Sequence, residues 1–210
     1  KTLVSLNSLK QISKYYLLPI LLLVSCFSLA QNIDSLKTLL KNAKQDTTQL
    51  NLLVQLSEIC DLDEILKYSN STIEVADKIL TGKLTPSEKI KTIKYKAIAI
   101  NNIGFLYSSQ ANIPMALDYY QKSLKLQEEI GNKEGMATSF NNLGFCNSKL
   151  GNSQEALKYY TKGLELRESV GEKKGIANSL NNIGQIYDNQ GDIAKALIFY
   201  DKRLNIKESI

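Results

Sequence analysis

The sequence predicts an all-α fold, a solenoid of stacked antiparallel helix pairs. Three observations predict it. Gly131–Val170 and Gly171–Ile210 are identical at 16 of 40 positions. Asn101-Asn102-Ile103-Gly104, Asn141-Asn142-Leu143-Gly144 and Asn181-Asn182-Ile183-Gly184 fall 40 residues apart. Each unit reads as a helix A, a short turn and a helix B, the turns being Gln110-Ala111-Asn112, Leu150-Gly151-Asn152 and Gln190-Gly191-Asp192. A fixed period of this size marks units that cannot bury an apolar face alone and so stack on their neighbours.

In order along the chain, residues 1–30 stand apart. They hold Lys1, Lys10 and Lys14 but no Asp or Glu, then the apolar run Tyr15–Ala30 that ends in Ser28-Leu29-Ala30. A basic start, a short apolar core and a small-x-small end are the layout of a cleaved secretory signal. A spanning helix needs roughly 20 apolar residues, and this run is shorter and holds Pro19. Leu23-Val24-Ser25-Cys26 also fits a bacterial lipobox, with Cys26 as the lipidated residue, so lipoprotein processing stays open beside simple cleavage. The expectation is an exported, extracytoplasmic chain, membrane-tethered only through this segment, through Cys26 or through sequence beyond Ile210. Removing residues 1–30 lowers the formal charge from +5 to +2, so the basic balance is mostly a targeting feature and no nucleic-acid footprint is expected.

Residues 31–85 are expected to form an N-terminal capping helix and a degenerate repeat. Ile33, Leu36, Leu39 and Leu40 have helical spacing. Asp46-Thr47-Thr48-Gln49 has the spacing of a capping box, and a helix over 62–80 follows a tight turn near Asp61. Residues 86–210 are expected to form the three 40-residue repeats. Thr85-Pro86-Ser87-Glu88 restarts the helical pattern with a cap, a proline at the first turn and the box-closing acid. Gly131 and Gly171 each end a helix B, where a left-handed cap favours glycine. The chain begins with Lys1 and stops at Ile210, a repeat boundary, which predicts a truncated array. Ile193, Leu197, Phe199, Leu204 and Ile206 are then expected on a face that an internal repeat would cover.

There is no histidine, which excludes Ser-His-Asp and Cys-His catalysis within these residues. Cys60 and Cys146 are the only cysteines after the first 30 residues; a structural zinc site is not expected, and the two lie too far apart in a linear stack to bridge. No phosphate-binding loop appears, and neither an enzyme nor a cofactor is expected.

Ile103-Gly104-x-x-Tyr107 with Ala116 and Tyr120, and Ile183-Gly184-x-x-Tyr187 with Ala196 and Tyr200, resemble the tetratricopeptide repeat. The middle unit keeps Leu143-Gly144, Ala156 and Tyr160 but has Asn147 in place of the tyrosine. The period of 40 and Glu128, Glu168 and Glu208 in place of the late proline resemble the longer repeats of kinesin light chains and the Leu-Gly-Asn family. The Gly-x-Lys-x-Gly junctions are similar to the exported repeat regions of Bacteroidetes-type sensor proteins. The resemblance implies a right-handed superhelical solenoid whose helices A line a concave groove that binds a protein or extended peptide. It implies, as the alternative, the input module of a membrane sensor kinase, cyclase or transcriptional regulator. The helix-A glycines are expected to admit Ala116, Ala156 and Ala196 of helix B.

At 100° per residue, Asn102 and Phe105, then Asn142, Phe145 and Lys149, then Asn178, Asn182, Gln185 and Asn189 form one stripe on helices A. An asparagine amide can hold both the N–H and C=O of an extended backbone, and the phenylalanines add apolar contact. In repeats of the resembled family the position of Asn102, Asn142 and Asn182 contacts peptide. The adjoining Asn101, Asn141 and Asn181 are expected to bridge repeats instead. Lys149 is the single cation of the stripe, too few for a carboxylate clamp. The charges of helix B, Arg167 among them, are expected on a solvated convex face.

Overall fold

The protein is described by a computed structural model over residues 32–44 and 46–208. The expected signal, with Cys26 and Ser28-Leu29-Ala30, lies outside the described residues. Among the described residues there are nine helices and no strand. They are α1 over 32–42, α2 Thr47–Ile59, α3 Leu62–Leu80, α4 Pro86–Ser109, α5 Ile113–Glu129, α6 Lys133–Lys149, α7 Ser153–Val170, α8 Lys173–Asn189 and α9 Ile193–Glu208. Each of α3 to α9 packs on the helix before it, which gives a linear stack of hairpins.

Local chemistry sets the boundaries. Thr85 caps α4 with a full box: its Oγ1 accepts from the Glu88 N–H at 3.3 Å, and its own N–H donates to Glu88 Oε2 at 2.8 Å. Asp46 caps α2 through the N–H groups of Thr48 and Gln49, and the Thr48 contact holds its carboxyl below the usual carboxylate range. The box there is half made, because Gln49 Oε1 is buried without a partner. Gly131 and Gly171 take φ of 64° and 72° at the ends of α5 and α7, as the left-handed cap requires. Within the A–B turns Gly151 and Gly191 take φ of 78°, but Ala111 holds the same place at 59°.

The helix-A glycines serve a close approach. A Cβ on Gly104 would stand 2.8 Å from the Tyr120 ring, one on Gly144 2.7 Å from Tyr160, and one on Gly184 2.6 Å from Tyr200. The bulky partner is thus the tyrosine of helix B, not the alanine the sequence pattern suggests. Ala116, Ala156 and Ala196 are buried beside it. The glycine costs roughly 1 kcal/mol of helix propensity, which burial of a tyrosine ring offsets. A second aromatic layer follows: Tyr107 stacks on Tyr119 at 5.4 Å and Tyr187 on Phe199 at 5.6 Å. In the middle repeat Asn147 replaces the tyrosine and turns inward to donate to the Leu143 carbonyl at 2.9 Å. Tyr159 then stacks on Phe140 instead, at 6.1 Å.

The first helix pair departs from the others. α1 buries Leu36 against Leu52, Leu53, Leu56 and Tyr68, so it covers the N-terminal end of the stack. Helix α4 has 24 residues where α6 and α8 have 17, and it packs on α2 as well as on α3. Two sequence-based expectations are corrected. Phe199, stacked on Tyr187, and Ile206 are half-buried, whereas Ile193, Leu197 and Leu204 stay exposed. Arg167 is only 7% exposed, not solvated. Gly175 of the next repeat leaves room for it, and its guanidinium donates to the Gly175 carbonyl at 3.1 Å and to Ser179 Oγ at 2.7 Å.

Candidate functional site

The asparagines form one ladder across the stack. Asn142 Nδ2 donates to Asn101 Oδ1 at 2.8 Å, and Asn182 Nδ2 donates to Asn141 Oδ1 at 2.8 Å. One rung lower, Asn102 Nδ2 donates to Ser57 Oγ at 2.9 Å, which gives the degenerate unit an acceptor without an asparagine. At the far end Asn181 Oδ1 accepts from Arg203 Nη1 at 3.1 Å. The two rows that the sequence separates into bridge and ligand contact are therefore donor and acceptor of the same bonds. Each rung uses one N–H of one amide and one lone pair of the next, so every amide keeps further capacity.

This ladder floors a hollow of about 470 Å³ that spans three helices A. Phe105, Ser108 and Ser109 of α4 line one side, Asn141, Asn142 and Phe145 of α6 the middle, and Asn178, Asn181 and Asn182 of α8 the other side, with Tyr120 beneath. Phe105 is 53% exposed and Phe145 40%, so both rings present apolar surface to the hollow. Every lining residue is uncharged. Burial pushes the Tyr120 phenol far above its usual range and Tyr160 up to about 12, so both stay neutral.

Of the residues singled out in the sequence, the structure brings Phe105, Asn142, Phe145, Asn178 and Asn182 to this hollow. Asn102 sits one rung outside it. Lys149 lies over the Phe145 ring at 5.3 Å rather than in the lining. Gln185 and Asn189 are exposed farther along α8 and do not line it. Sequence reasoning missed the contributions of Ser108, Asn141, Asn181 and Tyr120. The 40-residue recurrence of the Asn101 series was the available signal, but helix phase alone cannot say which neighbour an amide reaches. A second hollow of about 440 Å³ lies at the start of the helices A, where Ile98 and Thr138 meet Lys94, Glu134 and Glu172. Among the described residues no group of acidic, cysteine or histidine side chains is placed to hold a metal ion, and no helix is long and apolar enough to cross a membrane. Cys60 and Cys146 are free thiols.

A search of curated proteins finds no significant relative. Solved structures share the fold. BtubC (BKLC) from P. vanneervenii superposes with a TM-score of 0.67 at 19% identity, covering 87% of this chain and 72% of its own. A Rap protein complexed with competence and sporulation factor gives 0.64 at 17% identity over 87% of this chain, which spans about half (50%) of the Rap chain. The nearly identical repeats of a putative kinesin light chain from Podosopora anserina give 0.59 at 12% identity, covering 88% and 90%. The sequence profile described as Tetratricopeptide repeat matches residues 95–169 and again 135–209, more than half of the chain. With the helix pairs, the glycine–tyrosine contact and the 40-residue register already in place, that match makes the chain a member of the tetratricopeptide repeat family.

Proposed function

We propose that the hollow over the asparagine ladder holds an extended peptide segment of a protein partner, and that the chain is an exported scaffold or sensory domain. The carrying observation is the pairing of two exposed phenylalanines with a row of pre-oriented amides in a lining without charge. Amides fixed by the ladder lose little freedom when they bind a peptide backbone, and the rings bury apolar side chains. The Rap structure, in complex with competence and sporulation factor, supports a binding role for this architecture. Export rests on the sequence layout of residues 1–30, and the mass of the mature N-terminus together with cell fractionation tests it.

Replacing all three of Asn102, Asn142 and Asn182 is a poor test, because it also breaks the ladder. Phe105→Ala, Phe145→Ala and Asn178→Ala together leave the ladder in place. Peptides selected from a random library on the full chain are expected to bind this triple variant at least about tenfold more weakly, with unchanged helical circular dichroism. Their affinity is expected to change little with salt, since no charge lines the site. Equal affinity for both proteins removes the groove from this reading. The input-module alternative is favoured by the resemblance of the Gly-x-Lys-x-Gly junctions to exported sensor repeats, and the coding sequence beyond Ile210 decides it.

A further inference from the structure

The asparagine ladder also sets the register of the degenerate first pair. Asn142 and Asn182 each donate to the residue 41 positions earlier, and Asn102 makes the same kind of bond to Ser57, 45 positions earlier. Ser57 therefore takes the place of Asn101 and Asn141. Glu58 then takes the place of Asn102, Asn142 and Asn182. The row reads Glu58, Asn102, Asn142 and Asn182, three amides with a carboxyl at one end. The repeat pattern does not reveal this, because the first pair has Ser57-Glu58 in place of the Asn-Asn dipeptide and breaks the 40-residue period.

Glu58 differs from the amides beside it in having nothing to bond. Among the described residues none donates a hydrogen bond to it or pairs with it. Its side chain is open to solvent, yet the surrounding helices desolvate it enough to raise its carboxyl above the usual carboxylate range. A group that is accessible and partly desolvated at once stands in a concavity. No charged neighbour contributes to the shift, so no cation of this chain offsets the desolvation. A carboxylate held this way gains from a cation brought to it, because the shielding that penalises the lone charge strengthens the attraction. Helix α1 buries Leu36 against α2 and α3 at this end of the stack, so among the described residues the row ends at Glu58.

We propose that Glu58 is the cation-selecting end of the groove: the peptide held over the ladder carries a lysine or arginine that the Glu58 carboxylate receives. This rests on the groove reading above and adds to it a charge that the hollow itself lacks. Helix α2 packs on α4, so their axes lie about 10 Å apart. An extended chain rises about 3.3 Å per residue, which puts the cation about three residues beyond the side chain packed on Phe105. One solvent-open pair of this kind leaves the overall salt dependence small.

The probe is a library peptide that the Phe105, Phe145 and Asn178 triple variant binds weakly, made as a series in which lysine replaces each position in turn. Affinity for the full chain, read by fluorescence anisotropy, is expected to peak at one position about three residues to one side of the apolar anchor. Lysine there is expected to bind about three- to tenfold more tightly than glutamine there. Glu58→Gln is expected to erase that difference while leaving the affinity of the glutamine peptide and the helical circular dichroism unchanged. Glu58→Lys is expected to reverse the preference, so that a peptide with glutamate at that position binds more tightly than one with lysine. The reversal separates contact with the ligand from a purely structural role of Glu58. Groove-dependent peptides that show no lysine preference, or keep it in Glu58→Gln, overturn this assignment and leave the groove in place. Peptides indifferent to the triple variant overturn the groove, and this assignment with it.

Discussion

The two junctions between regular repeats have the same outline and different chemistry. Between the first and second repeats, Gln127 crosses beneath Gly135 and its Oε1 accepts from Asn132 Nδ2 at 2.7 Å. Between the second and third, Arg167 crosses beneath Gly175. The buried serine of the incoming helix needs a partner in each case. Ser139 finds Ser123, which itself donates to the Ala97 carbonyl at 2.9 Å, and Ser179 finds the Arg167 guanidinium. The second junction has Gly163 where the first has Ser123, so the longer side chain four residues on takes over that bond. One geometric demand, a satisfied hydroxyl in a dry seam, has two solutions that differ by a charge. The charged one is the more exposed to loss, because a truncated arginine leaves several polar groups unpaired at once.

Arg167→Ala is therefore expected to have the largest effect, about 3 kcal/mol of lost stability in chemical denaturation, since the Gly175 carbonyl and Ser179 hydroxyl lose their donor. Gln127→Ala removes a single amide contact at the seam and is expected to cost about 1 kcal/mol. Arg167→Gln alone still leaves Ser179 unpaired. Adding Gly163→Ser rebuilds the first junction in the second and is expected to recover more than half of the loss. The recovery is not complete, since a Cβ on Gly163 would stand only 3.2 Å from the Ala137 carbonyl, the equivalent of the group that Ser123 bonds, and that backbone must give by a few tenths of an ångström. A double variant no more stable than Arg167→Gln would show that the arginine acts through its charge rather than as a hydroxyl partner.

The cores beside these junctions differ too. The first contains Cys146 where the second has Ile186. Burial pushes the Cys146 thiol up to about 11 from an ordinary 9.0. A raised pKa in the folded state stabilises fully below the unfolded value and loses that contribution as pH rises through the folded one. The melting temperature is expected to fall between about pH 9 and 11, and Cys146→Ala is expected to flatten that slope while lowering stability at neutral pH. The slope persisting unchanged in Cys146→Ala would assign it to the buried tyrosines.

The smallest effect concerns the A–B turns. Ala111 takes a left-handed φ that Gly151 and Gly191 take without a Cβ. Ala111→Gly is expected to stabilise by about 1 kcal/mol or somewhat less, and Gly151→Ala to destabilise by a similar amount. Paired denaturation curves measure both; a destabilising Ala111→Gly would mean that chain entropy outweighs the relief of strain.

Much of this was legible in the sequence. The 40-residue recurrence predicted the helix pairs, and local motifs predicted the caps at Thr85 and Asp46 and the left-handed glycines, since each of these depends on residues a few positions apart. Helix phase also brought Phe105, Asn142, Phe145, Asn178 and Asn182 to one face. It could not separate an amide that reaches its neighbour from one that reaches solvent, so it divided the ladder into two rows. It likewise placed Arg167 with the solvated charges of helix B, because the vacancy that admits its side chain belongs to Gly175, eight residues on and across a turn.

What the sequence determined by itself was everything with a local cause: periodicity, caps and turns. The tertiary structure decided the partners. Whether Gly104 receives an alanine or a tyrosine, whether Asn142 reaches a ligand or Asn101, and whether Arg167 is solvated or buried all depend on how far one helix slides along the next. That offset is set by the packing of whole side chains across the seam, summed over two helices, and no single position in the sequence carries it.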